Sequence, residues 1–398
     1  MSKSACLLTV SLYFACLPLA WAQDSITSGS FADTITFTPD TMRISLLFAG
    51  DVMGHDSQIS AAYNASRNVY DYDPCFKFVK PLIAAADVSI ANLEVTLAGP
   101  PFKGYPQFSS PDVLALTLKD CGFDALVTAN NHCVDRGKQG LERTIARLDS
   151  FRIPHTGTFI DSAARRKQTP LIIRKNGFNL AVLNYSYGTN GIPIPKNTVV
   201  NLLDTAIMRK DIQVAKALSP DAIIVFTHWG AEYQALPSKQ QKDLTEFCFA
   251  LGVQLVIGAH PHVIQPMEWR KESNQFVAYS LGNFVSGQRK RYTDGGAMAY
   301  VELQKIRLKE DSATTTIERA AYFLQYVHKT VDAAKDYYII PVLSALPSGI
   351  SSVKDAASAA LFKTFVDDSR LLFKRYNRNV NEMTTLPVAY DRAVVNLK

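Results

Sequence analysis

Two short segments in the second half of the chain carry the residues best suited to chemistry, Val225-Phe-Thr-His-Trp-Gly230 and Val256-Ile-Gly-Ala-His-Pro-His-Val263. Three of the seven histidines lie in them. Each segment is an apolar, β-branched run, Ala222 to Phe226 and Val253 to Ile257, that breaks into histidine and glycine. Such a run predicts a buried parallel strand with polar groups at its carboxyl end, where open α/β sheets hold their sites. Pro261 forbids a helix and favours extended backbone at His260, so His260 and His262 are expected to face the same side. With His228 arriving from the neighbouring strand, three neutral imidazoles would converge as ligands for a borderline divalent metal. Singly, each is an ordinary loop histidine; three in two strand-end motifs favour a site.

The elements that must position them repeat one pattern. Ile44 to Ala49 predicts a strand ending in Gly50-Asp51, Val88 to Ala91 one ending in Asn92-Leu93-Glu94, and Phe123 to Thr128 one ending in Ala129-Asn130-Asn131-His132. Asp51, Asn92, Glu94, Asn131, His132, His228, His260 and His262 thus all sit at strand ends. Carboxylates, amides and imidazoles in this mixture are what a two-metal hydrolytic centre needs. Each alone passes for a cap or turn residue, Asp51 after Gly50 especially.

Helices are expected at Pro74 to Ala86, from the Ser109-Ser110-Pro111-Asp112 start to Gly122, around Leu141, Ile145 and Leu148, and at 204–218 and 238–250. Leu171 to Ile173 and Leu180 to Tyr185 read as strands meeting at the hairpin signal Lys175-Asn176-Gly177. The loop Ser186 to Lys196, with two glycines and two prolines, is expected to border the site. Strand–helix alternation marks a layered α/β fold. After it, Phe276 to Ser280, Ala297 to Leu308, Thr315 to Gln325 and Tyr337 to Val342 predict a largely antiparallel section, followed by a helical tail from Ser351 to Tyr376. The expected division is a leader at 1–22, a tether at 23–41, one domain at 42–345 and a C-terminal helical tail at 346–398.

The leader reads as a secretory signal, with Lys3, an apolar stretch from Ala5 to Leu19 and a small-x-small site at Ala20-Trp21-Ala22. Cleavage after Ala22 and export to the periplasm or cell envelope follow, with no membrane span in the mature chain. A formal charge of +6, 47% apolar and 20% charged residues describe a globular protein with a mild basic excess. Basic residues are dispersed apart from Arg165-Arg166-Lys167 and Arg289-Lys290-Arg291, and no basic stripe with interleaved aromatics points to nucleic acid. The second cluster follows Leu281-Gly-Asn-Phe284 and reads as a solvated loop that could also meet an anionic substrate. Cys75, Cys121, Cys133 and Cys248 form no C-x-x-C pair, which argues against a cysteine zinc site and leaves any disulfide pairing open.

Gly50-Asp-Val-Met53, Ala91-Asn-Leu-Glu94, Ala129-Asn-Asn-His-Cys-Val-Asp-Arg-Gly137, His228-Trp-Gly230, Gly258-Ala-His-Pro-His262 and Tyr279-Ser-Leu-Gly-Asn-Phe284 occur in this order. The series resembles that of the CapA-type capsule or poly-gamma-glutamate synthesis proteins, from about Met42 to about Val301. That family is similar in turn to the calcineurin-like metallophosphoesterases. The resemblance implies an α/β/β/α sandwich with mixed sheets, one or two divalent ions such as Zn, Mn or Fe, and an anionic envelope polymer or its precursor as partner. It further implies Asp51 on one metal, Glu94 bridging, and Asn131, His228 and His260 on the second metal. His262 returns to the first, His132 acts as acid oriented by Asp135, and Asn92, Trp229 and Asn283 face the substrate. One departure is Met53 where the metallophosphoesterase motif has histidine, which weakens the first metal position; His55 is a candidate replacement.

Two functions fit. One is a metal-dependent hydrolase or transferase acting on an envelope polymer through metal-bound hydroxide. The other is a non-catalytic envelope protein that guides such a polymer and keeps the metal site for structure. His132 favours the first and Met53 the second; the scissile bond and oligomeric state are open.

Overall fold

Alternation along the first strand sets the layering of the molecule. In Asp40–Val52, Ile44, Leu46 and Phe48 enter one apolar cluster while Leu47 and Ala49 enter another, because successive side chains leave a strand on opposite faces. The computed structural model describes residues 40–309, 312–331, 336–344, 353 and 355–387. The expected leader and nearly all of the tether lie outside them. The described residues fall within one compact unit, Pro39–Lys398.

The strands are β1 (Asp40–Val52), β2 (Val88–Leu93), β3 (Ala125–Val127), β4 (His155–Thr156), β5 (Leu171–Lys175), β6 (Phe178–Ser186) and β7 (Ala222–His228). They continue with β8 (Leu255–Ala259), β9 (Ile264–Arg270), β10 (Gln275–Leu281), β11 (Asn283–Val285), β12 (Gly295–Lys309), β13 (Ser312–Lys329), β14 (Tyr337–Pro341) and β15 (Asn381–Glu382). Among the described residues, one sheet has the order β14-β13-β12-β1-β2-β3-β4, with β11 beside β1 and β15 beside β13. The second large sheet, beside two small two-stranded ones, has the order β9-β10-β8-β7-β6-β5. Both are mixed. β1 to β4 run parallel, as do β6, β7, β8 and β10, and β12 to β14 are antiparallel.

The inner faces of the two sheets share one core, in which Phe48, Ile90 and Val127 join Val182, Ile224, Phe226 and Ile257. Beneath the outer face of the first sheet lie the helices Asp56–Ala62, Asp73–Phe76, Lys80–Ala85 and Val113–Cys121, whose Phe76, Leu82 and Leu114 are buried there. The second sheet is covered by Thr205–Ala217 and Lys239–Ala250 through Met208, Ile212 and Phe249. This is an α/β/β/α sandwich with mixed sheets. The long helix Ala356–Tyr376 closes the inter-sheet core, packing Phe365 and Phe373 on Tyr326 and Tyr322.

Two points differ from the sequence pattern. β10 pairs in parallel with β8 on one side and antiparallel with β9 on the other, so the section expected to be largely antiparallel opens on a mixed strand. The strand Ile264–Arg270 was not expected, because Gln265, Pro266 and Glu268 interrupt its apolar run; Gln265 is nevertheless fully buried, its amide bonded to Gln241 and to the Gln234 carbonyl. The hairpin at 175–177 forms with Asn176 at φ 49° and Gly177 at φ 77°, the geometry that Asn-Gly supports. Cys75, Cys121, Cys133 and Cys248 are free thiols.

Candidate metal centre

The parallel strands of both sheets present their carboxyl ends to one rim, and polar residues gather there. Asp51 is delivered by a register slip between Ala49 and Asp51. A Cβ on Gly50 would lie 2.0 Å from the Gly282 carbonyl oxygen, so glycine is what lets β1 approach the β10–β11 turn. The Asp51 amide then donates to that oxygen at 3.0 Å, and the Glu94 amide to Val52 at 3.0 Å. Neighbouring strand ends thereby hold both carboxylates in place.

The side chains form two groups that share Glu94. Ligand atoms of Glu94, His228 and His260 lie within 4.8 Å of one another, as do those of Asp51, Glu94 and His262. His228 Nε2 is 3.6 Å from Glu94 Oε1, and His262 Nδ1 is 3.2 Å from Asp51 Oδ2. Asn131 joins the first group, its Oδ1 2.8 Å from His228 Nε2. Among the described residues, both oxygens of Glu94 are buried without a hydrogen-bond partner. Burial and the Asp51 carboxylate push the Glu94 carboxyl well above the usual range. Burial also works to raise Asp51, but bonds from His262 and Asn92 hold it below its ordinary value. His228 and His260 are driven down by burial, His260 to about 3, so both are neutral near pH 7, the form a metal takes. A buried, unpartnered carboxylate between two sets of nitrogen and oxygen donors fits divalent cations such as Zn, Mn or Fe.

A chain of amides fixes orientations within the first group. Asn130 Nδ2 donates to the Leu93 carbonyl at 2.8 Å and its Oδ1 accepts from the His132 amide at 3.1 Å, which assigns that amide from the backbone. Asn130 Nδ2 also faces Asn92 Oδ1 at 3.3 Å, leaving Asn92 Nδ2 to donate to Asp51 Oδ1 at 2.8 Å and to meet His228 Nδ1 at 3.2 Å. His228 Nε2, the ring nitrogen that faces Glu94, lies 2.8 Å from Asn131 Oδ1.

His132, beside this group, is bonded through Nδ1 to Asp135 Oδ2 at 2.8 Å, and Asp135 Oδ2 also accepts the Phe108 amide at 2.8 Å. The Phe108 ring meets His132 edge-on at 4.7 Å. Among the described residues no hydrogen bond takes His132 Nε2.

Several expectations are corrected. His260 and His262 are not extended; their φ values are 100° and 58°, in the left-handed half of the map that non-glycine residues rarely occupy. A tight turn, not strand alternation, therefore sends them to different groups, at a strain cost of about 1–3 kcal/mol per residue. Trp229 does not face substrate: it is 2% exposed, packs in the helix-covered core of the second sheet, and its Nε1 donates to the Tyr279 carbonyl at 2.8 Å. Asn92 and Asn283 are bonded within the site. Asn92 spends its amide within the site, and Asn283 Oδ1 lies 3.1 Å from His262 Nδ1 while its Nδ2 donates to Thr293 and Gln288. Both position ligands instead. His55 does not replace the missing histidine at 53: among the described residues it joins neither ligand group, and its Nδ1 accepts the Gly287 amide at 3.1 Å. Met53 is buried in the core beneath the first helices. Arg289 and Arg291 of the basic cluster are engaged with the Val327 carbonyl and Asp368.

Sequence reasoning missed the structural part of Asn130 and the ring of Tyr187. Tyr187 stacks on His228 at 6.2 Å and 11° and lies 4.6 Å from His260. Its only signal was its place in the loop expected to border the site.

Residues 45–288 match the family described as Bacterial capsule synthesis protein PGA_cap. The chain is 29% identical over 280 residues to "PGA biosynthesis protein CapA" of Bacillus subtilis (strain 168), covering 68% of this chain and 70% of that protein. It is 26% identical over 279 residues to "Capsule biosynthesis protein CapA" of Bacillus anthracis, covering 66% and 64%. Among solved structures it is similar to the calcineurin-like phosphoesterase YfkN of Bacillus subtilis, with TM-score 0.44, 14% identity and coverage of 72% of this chain and 91% of that one.

Proposed function

The chain belongs to the bacterial capsule synthesis protein family, and from that premise we propose that it is an exported, metal-dependent hydrolase or transferase acting on an anionic envelope polymer or its precursor. The observation that carries this reading is the buried Glu94 carboxylate, without a hydrogen-bond partner among the described residues and flanked by Asp51 and His262 on one side and His228, His260 and Asn131 on the other. These residues would hold one or two divalent ions. When bound, such ions supply Lewis acidity and lower the pKa of water toward neutrality. The chain's own residues do the rest. Asp135, locked by the Phe108 amide, holds His132 Nδ1 and leaves Nε2 to protonate a leaving group or meet developing negative charge. Export follows from the leader, and among the described residues no helix is long and apolar enough to cross a membrane.

The test is His132→Ala compared with wild type for metal content, melting temperature, and turnover of a phosphodiester and a gamma-glutamyl substrate. Turnover is expected to fall about a hundred- to ten-thousand-fold with metal and melting unchanged. Loss of metal or stability would make His132 structural. The second reading, a non-catalytic protein that guides the polymer, is favoured by Met53, which leaves the first ion one ligand short; no turnover by wild type on either substrate selects it.

A further inference from the structure

We propose that Asn190, which lies outside every motif of the family series, is a positioning residue that holds the Asn131 amide with its oxygen toward the ion. The inference rests on the metal-centre reading above. An asparagine side chain can present either end of its amide, and only the oxygen can ligate a cation. Asn131 Nδ2 donates to Asn190 Oδ1 at 3.1 Å. That bond turns Asn131 Oδ1 toward His228 Nε2, 2.8 Å away, on the side of Glu94.

The acceptor is itself held. Tyr187 donates its hydroxyl to the same Asn190 Oδ1 at 3.0 Å, and the Tyr187 amide donates to the His228 carbonyl at 2.9 Å. Thr189-Asn190-Gly191-Ile192 is a tight turn with Asn190 at φ 52° and Gly191 at φ 73°, closed by the Ile192 amide on Thr189 at 2.9 Å. Asn-Gly is the pair that such a left-handed turn requires. Ile192 anchors the turn against Ala129 and Val134, the segment that carries Asn131. Ligand and positioning residue are thus fixed to one small core, and the Tyr187 ring roofs His228 and His260. Partners that orient metal ligands typically carry a 10- to 100-fold share of affinity.

The left-handed φ decides which variants are informative. Alanine would strain the turn, whereas glycine and aspartate both adopt it. Asn190→Gly removes the acceptor and Asn190→Asp keeps it. Ion-stripped wild type, both variants and His228→Ala would each be titrated with Mn²⁺ by calorimetry, with melting of the ion-free forms recorded alongside. Asn190→Gly is expected to weaken the tighter ion about 10- to 100-fold, and Asn190→Asp to bind as wild type or more tightly, since its charge favours a cation. Wild-type affinity in Asn190→Gly overturns the proposal, and so does an equal loss in Asn190→Asp. If wild type and His228→Ala bind alike, the metal-centre reading falls and takes this inference with it; if only His228→Ala fails to bind, that reading stands whatever Asn190 does.

Discussion

The two groups that meet at Glu94 are built differently. In the first, Asn92 meets His228 and Asn190 holds Asn131, while His260 Nδ1 has no hydrogen-bond partner among the described residues. In the second, Asn92 holds Asp51 and Asn283 meets His262, with Glu94 common to both. The side chain that could have added a fourth donor is the buried Met53. Ligand number, four donors against three, favours the first group. It should therefore hold the tighter ion and the other group the exchangeable one.

Removing what the groups share should have the largest effect. Glu94→Gln is expected to abolish both ions, measured by elemental analysis, and to erase the gain in melting temperature that added metal gives wild type. The stabilisation behind that gain is about 2.7 kcal/mol per ion at a hundred times the dissociation constant. The ion-free variant should melt no lower than ion-free wild type, because an amide costs less to bury unpaired than a carboxylate. Retention of either ion would break the assignment of Glu94 to both groups.

His228→Ala against His262→Ala separates the groups. The first should lower metal content by at least half, since the remaining donors cannot complete the shell of the tighter ion. The second should spare that ion and lose only the weak one, so competition with a moderate chelator should strip His262→Ala no faster than wild type. Equal losses from both variants would mean that the two groups act as one site. The smallest effect is expected at Trp229, which shares a motif with His228 yet sits in the helix-covered core. Trp229→Phe removes the bond to the Tyr279 carbonyl and some ring volume, for about 1–3 kcal/mol of stability. Metal content and KM should not change; a raised KM would return Trp229 to the substrate.

Trp229 and His228 show where the sequence stops being informative. They are adjacent in one motif, and the pleat of the strand sends His228 to the rim between the sheets and Trp229 behind them into the core with Tyr279. A motif records that both residues matter and says nothing of the face each takes. His260 and His262 make the same point through the backbone. Pro261 argued for extended geometry, but the loop turns left-handed, because convergence on Asp51 and Glu94 outweighs the local preference.

By itself the sequence determined the strands and their ends. Apolar β-branched runs that break into Asp51, Glu94, Asn131, His228 and His260 are legible because strand burial has a local signature and a carboxyl end is a one-dimensional position. The capping serine of Lys239–Ala250 and the Asn176-Gly177 hairpin were legible for the same reason, each being settled within a few residues. Only the tertiary structure decided which ends meet. Asp51 pairs with His262 across a gap of more than two hundred residues because the two sheets stack with their parallel ends on one rim. Asn130, Tyr187 and Asn190 acquire their parts from neighbours contributed by other strands, and no periodicity within their own segments encodes that contact.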